Sequence, residues 1–514
     1  MLHAPADPED RLSLAESMIP IIGSLHRSRH VVVTIHGRRL VDLSARQILK
    51  AHRFARHIDG RELDPAQTFP LLQMLAATAP PPCAVDLASL LSLAREQVDG
   101  ADDDDADNAD VTGSRPVLED LLREEIAQVG PGEVPPQRDV VLYGFGRIGR
   151  LLARILLARS AGAGGLRLRA VVVRPGAPGD LQKRASLLRR DSVHGPFDGT
   201  IVVDEERRML IANEVEIQVI ESDAPDRVDY RAHGIDEAIV VDTTGRWRDR
   251  EGLAQHLRSP GAERVLLTAP GKGDVPNIVH GVNEEQIGDH RILAAASCTT
   301  NAVAPVLKAL HERCGVEKGH VETVHSFTND QNLTDNFHRA DRRGRAATLN
   351  MVIAETGAAR AVGAAYPALE GRLTGSAIRV PVPNVSLAVL NLRLGEGAAG
   401  MGREELNAFL RETSLASPLR RQVDFIESPE FASSDALGSR KAGIVDGLAT
   451  IADGSGDAVL YVWYDNEHGY CRQVVRVLES MGGVRLLSIP RGAVDRARDR
   501  VREARRPAEQ VAGI

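Results

Sequence analysis

The chain has 514 residues, 43% hydrophobic and 26% charged, which is ample material for several buried cores at roughly 150 residues per domain. A formal net charge of −8 argues against a general affinity for nucleic acid or anionic membrane and leaves room only for a local basic patch, while 9 Phe, 6 Tyr and 2 Trp are too few for a sheet that stacks bases. The four cysteines, Cys83, Cys298, Cys314 and Cys471, form no CxxC, so neither a disulfide scaffold nor a zinc ribbon is expected, and no metal site is.

The opening residues, Met1 to Asp10, carry acids where a secretory signal would carry Lys or Arg. Leu12 to Leu25 places Leu12, Leu14, Met18, Ile19, Ile22 and Leu25 at three- and four-residue spacings, which predicts a helix. The β-branched run Val31 to Ile35 suits a short strand. Ser44 suits the cap of a second helix through Ile48, Leu49, Phe54 and His57, with His52 and His57 read as solvated surface groups. The long uncharged stretch Pro65 to Val85 contains five prolines and cannot be a spanning helix, so a soluble, cytoplasmic protein is expected. Ala101 to Asp110 is an acidic run that repels itself and reads as a linker, followed by an amphipathic helix over Val117 to Val129.

From Asp139 the pattern changes. Val140 to Tyr143, Leu168 to Val173, Ala238 to Val241, Arg264 to Leu267 and Arg291 to Ala294 read as strands alternating with helices, the mark of a parallel sheet with crossovers. The alternation stops near Cys298. Longer, antiparallel-looking strands follow, such as Ser376 to Val380 and Ser386 to Leu394, and the tail ends in a charged helix over Val494 to Arg506. The predicted class is α/β: a Rossmann-like dinucleotide-binding domain and an α+β catalytic domain with antiparallel sheet, preceded by a mostly helical extension.

Gly144-Phe145-Gly146-Arg147-Ile148-Gly149 follows a strand and opens an apolar helix. In that context Gly144 makes the tight turn, Gly146 admits a pyrophosphate and Gly149 lets helix pack on strand, with Arg147 and Ile148 starting the helix whose N–H groups face the phosphates. Arg174 stands at the end of the second strand, where a carboxylate would read an adenosine 2′-hydroxyl. An arginine there favours a 2′-phosphate, so NADP is slightly preferred over NAD. Cys298 follows a strand and begins a helix, where the helix dipole favours a thiolate, and His325 lies beyond a second strand (His320 to Val324) whose end could meet it. The two make a nucleophile with its own acid/base, expected as thiolate and imidazolium.

Six ordered segments then carry a family resemblance: Tyr143 to Arg150, Asp191 to Gly195, Ala296 to Asn301, Thr356 to Ala359, Arg379 to Pro381 and Trp463 to Tyr470. Over about residues 138 to 480 the chain closely resembles the phosphorylating glyceraldehyde-3-phosphate dehydrogenases, in the longer bacterial form with an N-terminal extension. The resemblance implies oxidation of glyceraldehyde 3-phosphate with inorganic phosphate through a Cys298 hemithioacetal and thioester, with His325 as acid/base. It also implies that Thr328 and Arg379 hold the substrate phosphate, that Ser297, Thr299, Thr356 and Gly357 hold the attacking phosphate, that Asn466 orients the nicotinamide carboxamide, and that Thr244 and Gly245 pass beside the cofactor. Its members are tetramers built through the loop matching Gln331 to Asn350, so a homo-oligomer is expected. The implied domains are a helical extension over 1–100, a linker and short helix over 101–137, the NAD(P) domain over 138–298, the catalytic domain over 299–465, and a returning helix with charged tail over 466–514. Tyr143 stands where the family has Asn, Ala302 where it often has a second cysteine, and His468 where it has an aromatic. Erythrose-4-phosphate dehydrogenase and a catalytically quiet scaffold are the competing readings; the intact phosphate ligands and the retained Cys298 and His325 speak against them.

Overall fold

The computed structural model describes residues 7–99, 115–129, 136–159, 165–484, 486–494 and 497; the acidic run 101–110 and nearly all of the tail helix expected over 494–506 lie outside them. The extension comprises α1 (Pro8–Arg29), α2 (Ala45–Phe54), α3 (Arg56–Asp59), α4 (Pro65–Thr78), α5 (Leu87–Asp99) and α6 (Arg115–Ala127) around a small sheet of β1 (Val32–Ile35), β2 (Arg38–Arg39) and β3 (Ala84–Asp86). Asp7 caps α1 and Pro8 fills its first turn, where a missing N–H costs nothing. Ala15, Met18, Ile22 and Leu25 form its inward face, whereas Ile19 of the expected stripe is exposed and Leu14 only half-buried. Ser44 caps α2 in a reciprocal box with Gln47. β1 is buried at all four positions because it lies between β2 and β3, and β3 pairs in parallel with Ser488–Ile489 from the C-terminal end.

One expectation fails here. His52 is not solvated: it is fully buried, with Nδ1 2.9 Å from the Ile48 carbonyl and Nε2 2.7 Å from the Thr68 hydroxyl. Thr68 sits 16 residues away on α4, so no local pattern reveals it. Burial pushes the His52 pKa down to about 4.

The second sheet contains β4 (Gln137–Tyr143), β5 (Gly165–Val173), β6 (Ile201–Asp204), β7 (Met209–Ala212), β8 (Val215–Glu221), β9 (Ala238–Asp242), β10 (Ala262–Leu267) and β11 (Ile292–Ala294), in the order β11-β10-β9-β4-β5-β8-β7-β6. The five strands read from the sequence are β4, β5, β9, β10 and β11, all parallel, and β8 extends the parallel part by pairing with β5. The antiparallel meander β6-β7-β8 at one edge was not among the expected strands. Strand order reverses between β4 and β9, which opens a crevice at their carboxyl ends. Helix α7 (Arg147–Leu157) covers β4 and β5, α8 (Asp180–Arg189) packs beside it, and the short α9 (Arg250–Ala254) follows β9.

The third sheet is mixed: β12 (Val316–Ser326), β13 (Val352–Ala354), β14 (Leu373–Val380), β15 (Ser386–Leu394), β16 (Val423–Ile426), β17 (Gly443–Asp446), β18 (Ile451–Ala452) and β19 (Asp457–Tyr464). β12 runs parallel to β14 and antiparallel to β15, a register that sets His325 beside Arg379. Helices α10 (Cys298–Cys314), α11 (Ala358–Ala365) and α12 (Arg403–Ala416) pack on this sheet. The last long helix, α13 (His468–Met481), buries Tyr470, Cys471, Val474, Val475, Val477, Leu478 and Met481 in the core that β4, β5 and α7 also line. Among the described residues no helix is long and apolar enough to cross a membrane.

Candidate active site

The turn between β11 and α10 presents the cysteine. Ala296 takes φ +53°, unusual for a residue with a Cβ, so the turn must be held from outside. Asn301 Nδ2 donates to the carbonyls of Ala295 (2.8 Å) and Ser297 (2.9 Å), and the Tyr470 hydroxyl donates to that of Ala296 (3.0 Å). Ser297 caps the helix by accepting Thr300 N–H at 3.0 Å, and Cys298 follows as the first helical residue. Its Sγ lies 3.6 Å from His325 Nε2.

His325 is the last residue but one of β12, buried against the edge of Tyr464 at 6.0 Å between ring centroids. Its Nδ1 donates to the Ser326 carbonyl at 2.7 Å, which Arg379 also approaches at 3.0 Å, so Nε2 keeps its lone pair toward the thiol. The Arg379 guanidinium also lies 2.8 Å from Nδ1, and its Nε is buried without a hydrogen-bond partner. Burial and then this guanidinium push the His325 pKa down to about 3. Burial raises the Cys298 thiol, against smaller downward pulls from Arg379 and Thr299. Burial therefore opposes the expected thiolate–imidazolium pair on both sides, and Arg379 pulls the two members in opposite directions, repelling an imidazolium while favouring a thiolate.

The remaining site residues fall into two groups. Thr299 donates to or accepts from the Tyr464 hydroxyl at 3.0 Å, and Asn466 accepts from Ser326 at 2.9 Å and Ser386 at 3.1 Å, so both are tied to the Cys298–His325 centre. Thr328 lies just past the end of β12, and Thr356 and Gly357 open α11, whose first N–H groups Thr356 partly satisfies through Ala358 at 3.2 Å. None of these three is hydrogen-bonded to Cys298, His325 or Arg379 among the described residues.

On the other side of the crevice, Gly144 has φ +104°, and a Cβ there would lie 2.7 Å from Thr243 Oγ1. A Cβ on Gly149 would lie 2.5 Å from the Gly144 carbonyl oxygen, whereas one on Gly146 would meet nothing within 4 Å. Gly146 therefore fronts open space at the uncapped start of α7, a cradle a side chain would fill and a dinucleotide pyrophosphate fits. Ile148 turns inward against the core. Thr244 and Gly245 are drawn up by buried Asp242, which accepts from Thr244 N–H (2.7 Å), Thr244 Oγ1 (2.7 Å) and Gly245 N–H (3.3 Å). Arg174 is exposed one residue beyond β5. Tyr143 is buried edge-on to His256 at 4.7 Å and Trp247 at 5.9 Å.

Further contacts join the two sides of the crevice. Arg147 is clamped by Glu467 (2.5 Å from its NH2 to Oε2) and by Asp191 at 3.3 Å, so its side chain joins the glycine turn to α13 and leaves its backbone to face a ligand. His194 Nε2 meets Glu467 at 3.0 Å. Burial raises the Glu467 carboxyl, but the hydrogen bonds from Arg147 and His194 more than offset that and hold it low. Asp191, His194 and Glu467 lie inside the quoted motifs, so the signal was present as motif identity without a role. Arg343 adds a second positive charge near Arg379 and pairs with Asp330. His468, whose ring stands 6.1 Å from that of His194, meets the Ser439 carbonyl at 3.1 Å. Ala302 is fully buried.

Comparison with known proteins matches this geometry to a family. The profile described as glyceraldehyde 3-phosphate dehydrogenase, NAD binding domain, matches residues 138–250, and that described as its C-terminal domain matches residues 297–466. A glyceraldehyde-3-phosphate dehydrogenase-like protein of Pseudomonas aeruginosa (strain UCBPP-PA14) is 54% identical over 480 residues, covering 92% of this chain and 100% of the relative. The glyceraldehyde-3-phosphate dehydrogenase of Borreliella burgdorferi is 37% identical over 66% of this chain and 99% of its own length, and glyceraldehyde-3-phosphate dehydrogenase 2 of Bacillus subtilis is 37% identical over 66% and 95%. The Pseudomonas match leaves too little uncovered for the whole extension to lie outside it, while the other two relatives each cover 66% of the chain. With both domains matched in order and a strand-to-helix cysteine facing a strand-end histidine, the chain belongs to the glyceraldehyde-3-phosphate dehydrogenase family of oxidoreductases.

Proposed function

We propose that the chain is a phosphorylating glyceraldehyde-3-phosphate dehydrogenase that oxidises D-glyceraldehyde 3-phosphate with inorganic phosphate and NAD or NADP to 1,3-bisphosphoglycerate, reversibly. The observation that carries this reading is the 3.6 Å approach of Cys298 Sγ to His325 Nε2 beside the buried, unpartnered Nε of Arg379. Neutral His325 accepts the thiol proton as Sγ adds to the aldehyde carbon, and returns it to the carbonyl oxygen, giving the hemithioacetal. A bound nicotinamide supplies the hydride acceptor. His325 takes the hydroxyl proton as the thioester forms, and Nδ1–H on the Ser326 carbonyl keeps Nε2 aimed at the reacting atoms. Inorganic phosphate then attacks the thioester carbon, the C–S bond breaks, and Cys298 regains the proton from His325.

Arg379 and Thr328 hold the substrate phosphate in this reading; Ser297, Thr299, Thr356 and Gly357 hold the attacking one. An anion on Arg379 draws its charge away from His325 and so eases the imidazolium the cycle requires. Asn466, its oxygen occupied by Ser326 and Ser386, has its amide nitrogen left to donate to a carboxamide. Exposed Arg174 slightly favours NADP. The domain limits 138–298 and 299–465 and a homotetramer belong to the same reading. Leu333, Phe337, Leu349, Met351 and Ile353, between 61% and 92% exposed, crowd the loop 331–353 and suit a subunit interface.

The test is cofactor reduction, followed by absorbance, with glyceraldehyde 3-phosphate and inorganic phosphate, run with NAD and with NADP. Phosphate-dependent turnover is expected, and Arg174→Asp should shift the ratio of catalytic efficiencies toward NAD. Turnover with erythrose 4-phosphate alone, or none from protein that binds dinucleotide, overturns the proposal.

A further inference from the structure

Strand β9 ends on a carboxylate that water does not reach. Asp242 has no exposed surface, yet its side chain organises the edge of the crevice. Its Oδ1 accepts the N–H and the hydroxyl of Thr244, each at 2.7 Å, and the Gly245 N–H at 3.3 Å, which folds residues 242–245 into a tight turn. Thr243 then stitches that turn to the glycine turn after β4. Its N–H donates to the Tyr143 carbonyl at 2.9 Å and its hydroxyl to the Gly144 carbonyl at 3.0 Å. The same hydroxyl oxygen is what a Cβ on Gly144 would meet at 2.7 Å. One carboxylate therefore holds the β9 turn, and the β9 turn holds the start of the pyrophosphate cradle.

The second carboxylate oxygen is left to a residue from outside the turn. His256, on the short helical turn Gln255–Arg258 that continues α9, donates from Nε2 to Asp242 Oδ2 at 3.1 Å, and neither side chain has exposed surface. The imidazole stands edge-on to Tyr143 at 4.7 Å and to Trp247 at 6.0 Å between centroids, while its Nδ1 is buried with no hydrogen-bond partner. A buried nitrogen without a partner is costly, and an apolar side chain would fill the same space without that cost. An apolar side chain would leave Oδ2 bare, since among the described residues no other group bonds that oxygen. A carboxylate unpaired on one side and buried cannot keep its grip on Thr244 and Gly245 with the other. We propose that His256 is a positioning residue for the dinucleotide, acting through Asp242 to set the β9 turn, and with it the glycine turn, against the cofactor. The inference rests on the reading of the crevice as a dinucleotide site.

The test compares His256→Leu, which keeps bulk and loses the donor, with His256→Gln, whose amide nitrogen reaches the place of Nε2. Affinities of the full-length protein for NAD and NADP are measured calorimetrically without substrate, beside kcat and the KM values for cofactor and glyceraldehyde 3-phosphate. The leucine variant should bind the better dinucleotide at least about tenfold more weakly and raise its KM in step, with kcat at saturating cofactor and the KM for the aldehyde within about twofold of wild type. The glutamine variant should regain most of that affinity, a rescue that a merely space-filling role would not give. Should the leucine variant not fold, His256→Asn, whose shorter amide falls short of Oδ2, carries the same expectation. The affinities can be read whichever aldehyde is turned over, so failure of the proposed reaction leaves this test intact. Unchanged dinucleotide affinity in a folded variant, a fall in kcat in place of the rise in cofactor KM, or a glutamine variant as weak as the leucine variant overturns the positioning role while the dinucleotide reading stands. Wild-type protein that binds neither dinucleotide overturns that reading and the proposal with it.

Discussion

Two strand-to-helix turns leave the carboxyl edge of the same parallel sheet, and they are built in opposite ways. The β4–α7 turn is made of glycine: Gly144 takes φ +104°, Gly146 fronts empty space, and no side chain caps the helix. The β11–α10 turn is made of residues with side chains: Ala296 takes φ +53°, Ser297 caps the helix with its own hydroxyl, and Asn301 and Tyr470 pin the backbone. The first leaves N–H groups and open space at the start of its helix. The second holds one sulfur atom beside His325. In the function proposed above, one local geometry serves reversible binding when it is emptied and covalent chemistry when it is filled and braced.

The largest effect should come from removing the atom the second turn presents. Cys298→Ser is expected to lower turnover by at least about 10³-fold while dinucleotide affinity, measured by fluorescence titration, stays near wild type. Substantial residual turnover would remove the cysteine from its role. The glycine turn is separated from it by two alanines. Gly149→Ala forces a Cβ to 2.5 Å from a carbonyl oxygen and should destabilise by about 1–3 kcal/mol in denaturant unfolding. Gly146→Ala should leave the melting temperature alone and weaken cofactor about tenfold, by occupying the cradle; unchanged cofactor affinity would show that the open space at Gly146 is not where phosphates sit.

Smaller effects should follow from loosening the braces. Tyr470→Phe removes one hydrogen bond to Ala296 and should cost about 1 kcal/mol, with kcat falling more than cofactor affinity. The smallest concerns pH and reaches both the site and the extension. His325 and His52 are held neutral, at about 3 and about 4 against an ordinary value of 6.5 in the unfolded chain. Because the unfolded state binds more protons between those values, stability is full above pH 6.5 and falls as pH drops toward 4. His52→Gln should flatten the slope of melting temperature against pH in that window without altering turnover. An unchanged slope would place His52 in solvent, as the sequence pattern first suggested.

Much of this was legible before any coordinates. The GxGxxG after a strand, the parallel strands around it and a cysteine opening a helix are local patterns, spelled by residues within a turn or two of one another. Less legible were contacts that span the chain. Arg147 lies 320 residues from Glu467, yet the pair ties the cofactor turn to α13. Tyr143, which looks like a departure beside the first glycine, is explained only when Trp247 and His256 close around its ring. Ser488–Ile489, a pair of residues with no strand signal, becomes an edge strand of the extension because β3 offers it an open edge.

By itself, the sequence determined the strands β4, β5, β9, β10 and β11, the cap at Ser44 and the glycine turn after β4, and it singled out Cys298 and His325 as the pair of the proposed reaction, since apolar period, capping groups and motif order are properties of neighbouring residues. Only the tertiary structure decided protonation and partnership. It set His325 beside a guanidinium, buried His52 against a threonine of another helix, and brought Glu467 against Arg147 and His194. Those outcomes depend on desolvation and on charges brought within a few ångströms by packing, quantities that have no expression along the chain until it folds.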